Sequence, residues 1–391
     1  MAVPVPLGTE DRTARLTLRR PDHWRREESP HADLRLVGDD VVLTVRSRPS
    51  DRTVAEEHTS LLERLPGAVD GLRLIGCDPW TTADAPARLV EYVRPDEGGD
   101  VAGAHLLFVT GRHRVDLTVE RPLARMLATD ELVSAVLESV RATEPAPARP
   151  QRELEPLPVA PPAPPLGGTQ LGPDALATLR SLAGRRWNPT LLRTPGGREL
   201  VQTGLVGRLG TLPESTQELL APWSDGTEPV VVEQRLPDGR TTRLQAWSET
   251  VVDGTDGTDG TDETGGTVAR LSAERVVALT AGRLGTSPSW TFPFRTASVG
   301  ADLLARRTGA AAVAPDLPAA VAEADPRLAR FWAAPWTVSS IRRPGRPTPV
   351  VVVRAEGIGF ARVGRTRAGE TAFRSDSPAN VYRSVVRALL S

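Results

Sequence analysis

The chain has 391 residues, 39% hydrophobic and 25% charged, with a formal net charge of −1. That length suggests two or three domains, each large enough to bury a core, and the near-neutral balance excludes a global electrostatic attraction to nucleic acid or an anionic membrane. Every basic residue is arginine, a bias that fits a GC-rich coding sequence of the actinobacterial kind before it says anything about function. The N-terminus lacks a basic stretch followed by an apolar one, and no run reaches the roughly 18–20 apolar residues a bilayer-crossing helix needs. The expectation is a cytoplasmic protein without membrane insertion. The single Cys77 has no partner for an internal disulfide, and beside Leu72, Leu74 and Ile75 its simplest reading is a small core residue.

In sequence order, Arg15–Arg19 alternates as a strand, and Pro21-Asp22-His23-Trp24 forms a turn. Asp33–Val37 and Val41–Arg46 flank Gly38-Asp39-Asp40, a hairpin signal. Thr53 with Glu56 three residues on forms a capping-box pattern for a helix over Val54–Leu65, ended by Pro66-Gly67. Strands follow at Leu72–Cys77, Ala87–Arg94, Ala104–Thr110 and Arg114–Glu120, the last two as a hairpin through Gly111. A helix over Thr129–Arg141 places Leu132, Val133, Val136, Leu137 and Val140 in one stripe. The histidines (His23, His31, His58, His105, His113) show no metal-type spacing. His105 and His113, on opposite arms of one hairpin, could come close but lack a third ligand. Asp84, Asp96 and Asp116 read as turn or solvent-facing carboxylates.

Pro21 and Trp24, the hairpin, the helix, the strands ARLVEYV and AHLLFVTGRHRVDLTV and the closing helix together resemble the Mog1/PsbP-like fold, which includes lipoproteins of the LpqN and DcrB kind. The resemblance covers residues 1–143 and implies a non-enzymatic binding or accessory domain with no shared catalytic residue. The expectation is that the protein departs from the lipoproteins in lacking a signal peptide and a lipobox cysteine.

Residues 144–165, EPAPARPQRELEPLPVAPPAPP, hold almost nothing that anchors a core. Their prolines fix φ and remove donors, so the run reads as a semi-rigid linker. Beyond it, Pro173-Asp174 opens a helix carrying Leu176, Leu179 and Leu182. Further helices are expected at Gly197–Thr203 and Pro213–Leu220. Pro229–Leu236 and Arg240–Thr250 form a hairpin through Pro237-Asp238-Gly239. The tract 253–266, DGTDGTDGTDETGG, has no apolar residue; a solvated hairpin loop suits it better than a calcium site, because it lacks both known ligand spacings. Ser272 caps a helix over Ala273–Gly282. Ser289–Phe294 (SWTFPF) is read as an aromatic edge segment. Helices at Val299–Arg306 and Ala319–Ala334, strands at Thr337–Arg342, Pro349–Arg354, Gly359–Gly364 and Thr371–Arg374, and a Ser377-Pro378-capped helix to Leu390 complete the sequence. The fold class is α+β, in two domains that are each a mostly antiparallel sheet packed with helices.

The stretches ALATLRSL, LVQTGLVG, LPESTQELLAPW, VVVEQRL/TTRLQAW, SAERVVALTAGRL and VVVVRAEGIGFARVG with SDSPANVYRSVVRALL resemble, in that order, the EspG family of chaperones of ESX (type VII) secretion. The resemblance spans most of 166–391. It implies a cytosolic, cofactor-free chaperone or adaptor whose partners are secreted substrate proteins of the helical-hairpin type. The expanded 253–266 tract and the preceding domain depart from the family layout. Leu244, Trp247, Trp290, Phe292 and Phe294 are the candidate partner-binding residues, since aromatic anchors dominate binding energy; a core role is the competing reading for the aromatics. No catalytic, cofactor or metal residues are assigned. Two alternatives stay open. One is a winged-helix nucleic-acid regulator over 173–247, with Arg180, Arg185, Arg186, Arg193 and Arg198 as its positive charge, although nucleic acid is not expected as a partner. The other is an accessory interaction module of unknown pathway. An enzyme would have to work without histidine beyond His113, which removes the commonest general base from 114–391.

Overall fold

The computed structural model describes residues 6–82, 85–145, 154, 157, 166–185, 188–247, 249–256, 263–286, 289–295, 297–309, 315–365 and 371–390. The fold is α+β, and its sheets are antiparallel throughout. It divides into two compact units. The first comprises Met1–Pro161, Thr286–Thr291 and Ser377–Arg383, and the second Pro162–Gly285, Phe292–Asp376 and Ser384–Ser391.

The first unit runs β1 (Thr9–Arg12), β2 (Leu16–Arg20), β3 (Arg25–Glu27), β4 (Leu34–Gly38), β5 (Val41–Pro49), α1 (Val54–Ala68), β6 (Arg73–Thr81), β7 (Pro86–Arg94), β8 (Val101–Thr110), β9 (His113–Pro122), α2 (Met126–Glu138) and β10 (Arg141–Ala142). Seven strands form one sheet in the order β3-β4-β5-β9-β8-β7-β6, and β1-β2-β10 form a small second one. Period-two alternation decides which side chains go inside. Val41, Leu43 and Val45 of β5 are buried on one face while Val42 and Thr44 point to the other. The buried face meets Leu16 and Leu18 of β2 and Val133, Val136 and Leu137 of α2. On the opposite face Val54, Leu61 and Leu62 of α1 cover Cys77, Val90, Leu107 and Val109. Cys77 is thus a fully buried thiol in an apolar layer.

Local chemistry sets the corners. Asp39 (φ 53°) and Asp40 (φ 62°) are both left-handed, which the two-residue β4–β5 turn requires. Gly38 allows the backbone to pass over Trp24: a Cβ there would sit 2.3 Å from the indole ring. The Trp24 indole N–H donates to Asp39 Oδ2 at 3.0 Å. Thr53 and Glu56 form the expected capping box at α1. The helix does not stop at Pro66-Gly67 but reaches Ala68.

The second unit opens with β11 (Thr169–Leu171), α3 (Pro173–Arg180), α4 (Pro195–Gln202) and α5 (Glu214–Ser224). A four-stranded meander follows, β12 (Val230–Arg235), β13 (Thr241–Trp247), β14 (Thr250–Asp256) and β15 (Glu263–Arg270), closed by α6 (Ala273–Arg283). The pattern then repeats: β16 (Ala297–Ser298), α7 (Ala301–Gly309), α8 (Ala319–Ala324), α9 (Pro326–Ala333), β17 (Trp336–Arg342), β18 (Val350–Ala355), β19 (Gly359–Arg365), β20 (Thr371–Asp376) and α10 (Pro378–Leu389), whose residues up to Arg383 are assigned to the first unit. The ten strands lie in the order β11-β15-β14-β13-β12-β17-β18-β19-β20-β16, so the sheet reads the same from either edge. Its centre is the antiparallel β12–β17 pair, where Gln234 faces Ser339. There the buried Gln234 amide donates to Ser339 Oγ at 3.1 Å and to the Arg283 carbonyl at 2.8 Å. One apolar cluster lies under α3, α4 and α5, and a second, aromatic one under α7 and α9.

Several sequence expectations change here. The segment expected as one strand over Arg240–Thr250 is two, β13 and β14, turning near Trp247. The 253–266 tract is not wholly a loop: Asp253 pairs with Thr267 and Gly254 with Gly266 in the β14–β15 ladder, and residues 257–262 lie outside the described part. Backbone pairing there does not need apolar side chains. The helix expected over Ala319–Ala334 is broken at Asp325, whose carboxylate caps α9. SWTFPF makes no strand; Trp290 forms one isolated bridge, to Cys77. The two strands of the winged-helix alternative are interior strands of the ten-stranded sheet, so they are no free wing. Of the run 144–165 only Glu144, Pro145, Leu154 and Leu157 are described. Glu144 is held by Arg15 at 2.7 Å, and Leu157 packs on the apolar layer under α1.

Candidate binding sites

The five predicted partner-binding residues sit in three separate places, all inside or against cores. Leu244 (1% exposed) and Trp247 (6% exposed) are three residues apart on β13 and face opposite sides of the sheet. Trp247 donates its indole N–H to the Thr227 carbonyl at 2.8 Å and meets the edge of Trp223 at 5.4 Å. Phe292 and Phe294 are half-buried on the aromatic cluster, with ring centroids 6.4 and 5.3 Å from Phe331; Phe294 stacks on Phe373 at 5.4 Å. Trp290 is half-buried in the first unit, its ring 5.3 Å from that of His58 and 5.4 Å from the Arg88 guanidinium. These contacts spend the apolar surface of the aromatics on packing.

Sequence reasoning missed two polar constellations. The first lies between α1 and the first unit's sheet. Arg114 is almost fully buried, and its guanidinium donates to Glu57 at 2.6 Å and to Asp116 at 2.8 Å. Glu57 also accepts from Ser50 at 2.6 Å, and Asp116 bonds His105 Nε2 at 2.7 Å. Burial by itself would push the Asp116 carboxyl up, but the hydrogen bonds from His105 and Arg114 outweigh it and hold it at about 2. Burial raises Glu57 likewise, and the bonds from Ser50 and Arg114 bring it below the usual carboxylate range. Asp116 is therefore not the solvent-facing carboxylate expected, and Asp84 lies outside the described residues. His105 and His113 do not converge. His105 pairs with Thr118 and His113 with Thr110, five rungs away, which separates them by about 17 Å. Among the described residues no three His, Cys, Asp or Glu side chains gather as metal ligands, and no helix is long and apolar enough to cross a membrane.

The second constellation lines a small, solvent-open cleft in the second unit. Arg180, the last residue of α3, donates to Gln245 Oε1 at 2.8 Å, and its guanidinium lies 5.9 Å from the Trp223 ring. Arg243 and Gln245 alternate on β13 and share the face of Trp247, which in a buried sheet would carry apolar side chains. Leu176, Val252, Gly254 and Gly265 complete the lining. The signal available in the sequence was that alternation of polar residues with Trp247, together with glycines on the facing strands.

No family model matches the protein, and no curated protein matches it. Among solved structures it is similar to the cyanobacterial PsbP of Synechocystis (14% identity, 32% of this chain and 86% of that one, TM-score 0.27). It is similar to LpqN, involved in cell envelope biogenesis of Mycobacterium tuberculosis (16% identity, 34% and 90%, TM-score 0.26). A protein of Bacteroides thetaiotaomicron is similar over 69% of this chain and 90% of its own, at 9% identity and a TM-score of 0.24. PsbP-like and LpqN structures are thus neighbours of part of the protein.

Proposed function

We propose that the protein is a non-enzymatic chaperone or adaptor that binds substrate proteins of type VII (ESX) secretion and acts in the cytoplasm without a cofactor. The observation that carries this reading is the element order of the second unit: three helices, a meander and a closing helix, then three helices and a meander again in the same sheet, followed by α10. It is the order in which the EspG-like stretches occur. The second unit holds the partner, a secreted protein of the helical-hairpin type. The first unit serves as a PsbP-like accessory module, supported by its antiparallel sheet between two helices and its Trp24-anchored hairpin.

The test is co-expression with the helical-hairpin proteins encoded beside it, followed by size-exclusion chromatography. The reading expects a stoichiometric complex and more soluble substrate than in its absence. If those substrates neither co-elute nor gain solubility, the reading fails.

A further inference from the structure

We propose that residues 286–291 form a strap on the first unit, latched through Asp78 of β6 and loosened as the pH rises from mildly acidic to neutral. The strap joins the first unit from beyond residue 285 and meets β6, the edge strand of the seven-stranded sheet. Two consecutive β6 residues hold it. Cys77 forms the isolated parallel bridge to Trp290. Asp78 Oδ1 accepts from both the hydroxyl and the amide of Thr291, the amide at 3.3 Å. The Trp290 ring packs against His58 of α1 and the Arg88 guanidinium.

The groups around Asp78 set the direction of the switch. Asp78 shares a sheet face with Gly76, and Gly76 stands opposite Glu91 on β7. Arg383 of α10 faces the same spot, but it is committed to Glu91 at 2.5 Å and to Asp130 of α2 at 2.8 Å; Arg121 of β9 is likewise held by Asp130 at 2.8 Å. Asp78 has no ion pair among the described residues, and Thr291 supplies its hydrogen bonds. A carboxylate ionised in such a place is costly, and lifting the strap lets water reach it. Burial first, and then the Glu91 charge, raise the Asp78 carboxyl to about 6 against the pull of Thr291 and Arg383. Protonated Asp78 still accepts from Thr291 and carries no such cost, so the strap is held at low pH and loosened above about 6. The first turns of α10 are the fixed wall beside it. Ala379 packs on Gly76, where a Cβ would lie 3.0 Å from the alanine methyl, and Arg383 ties the helix to β7 and α2. Two other titratable groups face the strap, His58 and the Cys77 thiol in the apolar layer under Trp290. Charging the buried His58 as pH falls would loosen the strap, the opposite sign to Asp78. The inference does not rest on the secretion reading.

The test is hydrogen exchange by mass spectrometry on the full-length protein at pH 5 and pH 7.5, corrected for the intrinsic rate at each pH. A carboxyl raised from 3.8 to about 6 in the closed state shifts the opening equilibrium about tenfold between those two conditions. The amides of 289–291 are therefore expected to lose protection about tenfold at the higher pH, while those of 379–383 change by less than about threefold. Asp78→Asn keeps an acceptor for Thr291 without a charge, and its strap is expected to be equally protected at both pH values. A wild-type change below about threefold, a change of opposite sign, an equal loss in 379–383, or the same tenfold loss in the Asp78→Asn protein would overturn the proposal. The wild-type ratio needs no variant, so it decides even if Asp78→Asn fails to fold.

Discussion

The Arg114→Met substitution tests the ionic network under α1 most directly. Methionine keeps much of the arginine's length and apolar body but removes the charge that Glu57 and Asp116 share. Breaking a buried pair from one side costs about 3–5 kcal/mol, because the partner carboxylate stays buried without its counter-charge. Here the lower end applies: Glu57 keeps Ser50 and the half-exposed Arg48, and Asp116 keeps His105. We expect a loss of about 3 kcal/mol, which for a unit of this size lowers the melting temperature by about 6–12 °C. Calorimetry of the full-length protein measures the shift. Hydrogen exchange by mass spectrometry should place the lost protection in residues 101–122 and 54–68, leaving 230–270 unchanged. Neutralising the orphaned partner in E57Q/R114M should recover at least half of the loss, because both sides of the pair are then uncharged. If Arg114→Met alone costs less than about 1 kcal/mol, or the double variant recovers nothing, the network is not the buried electrostatic unit described.

Two carboxylates should give stability opposite pH slopes. Burial lifts Asp78 to about 6 from an ordinary 3.8 despite hydrogen bonds from Thr291, so the folded state holds its proton more tightly. Its contribution is present at low pH and is lost as pH rises from about 4 through 6, and Asp78→Asn should flatten that fall. Asp116, held at about 2, contributes above about pH 4 and loses that contribution as pH drops toward 2, a slope Asp116→Asn should remove; denaturant titrations across pH 2–7 resolve both. Thr53→Ala should cost about 1 kcal/mol in the same titrations by uncapping α1, and Thr53→Ser nearly nothing. Trp247→Phe should destabilise the second unit by about 1–3 kcal/mol, since it strands the Thr227 carbonyl and opens space beside Trp223, while leaving the affinity for a secretion substrate unchanged; weaker substrate binding by a folded variant would return Trp247 to the interface.

How much was legible in the sequence follows from the range of the interactions concerned. Local signals read well. The Thr53–Glu56 capping box, the Gly38-Asp39-Asp40 turn and the Ser272 cap depend on residues within three or four positions and appear as expected. Strand alternation placed the β8–β9 hairpin correctly. The doubled layout of the second unit was missed because it lies in the pairing of β12 with β17, about a hundred residues apart. Long-range charge pairing was equally invisible: nothing near Asp116 in sequence announces Glu57 across the unit. Aromatic content left two readings open, anchor or core. Phe331 and Phe373, from distant segments, give Phe294 a packing surface, and Phe331 gives one to Phe292. The Arg180–Arg243 cleft needed the fold before its members could be seen as neighbours, although Arg243 and Gln245 on the face of Trp247 were the residues to question.

The proposed role, holding a secretion substrate by surface complementarity, is tested by isothermal titration of the full-length protein with a purified helical-hairpin substrate encoded beside it. Saturable binding at a one-to-one ratio is expected, with no turnover of the substrate and no dependence on added metal or cofactor. Absence of heat and of complex at tens of micromolar of both proteins, across all such neighbours, would contradict it.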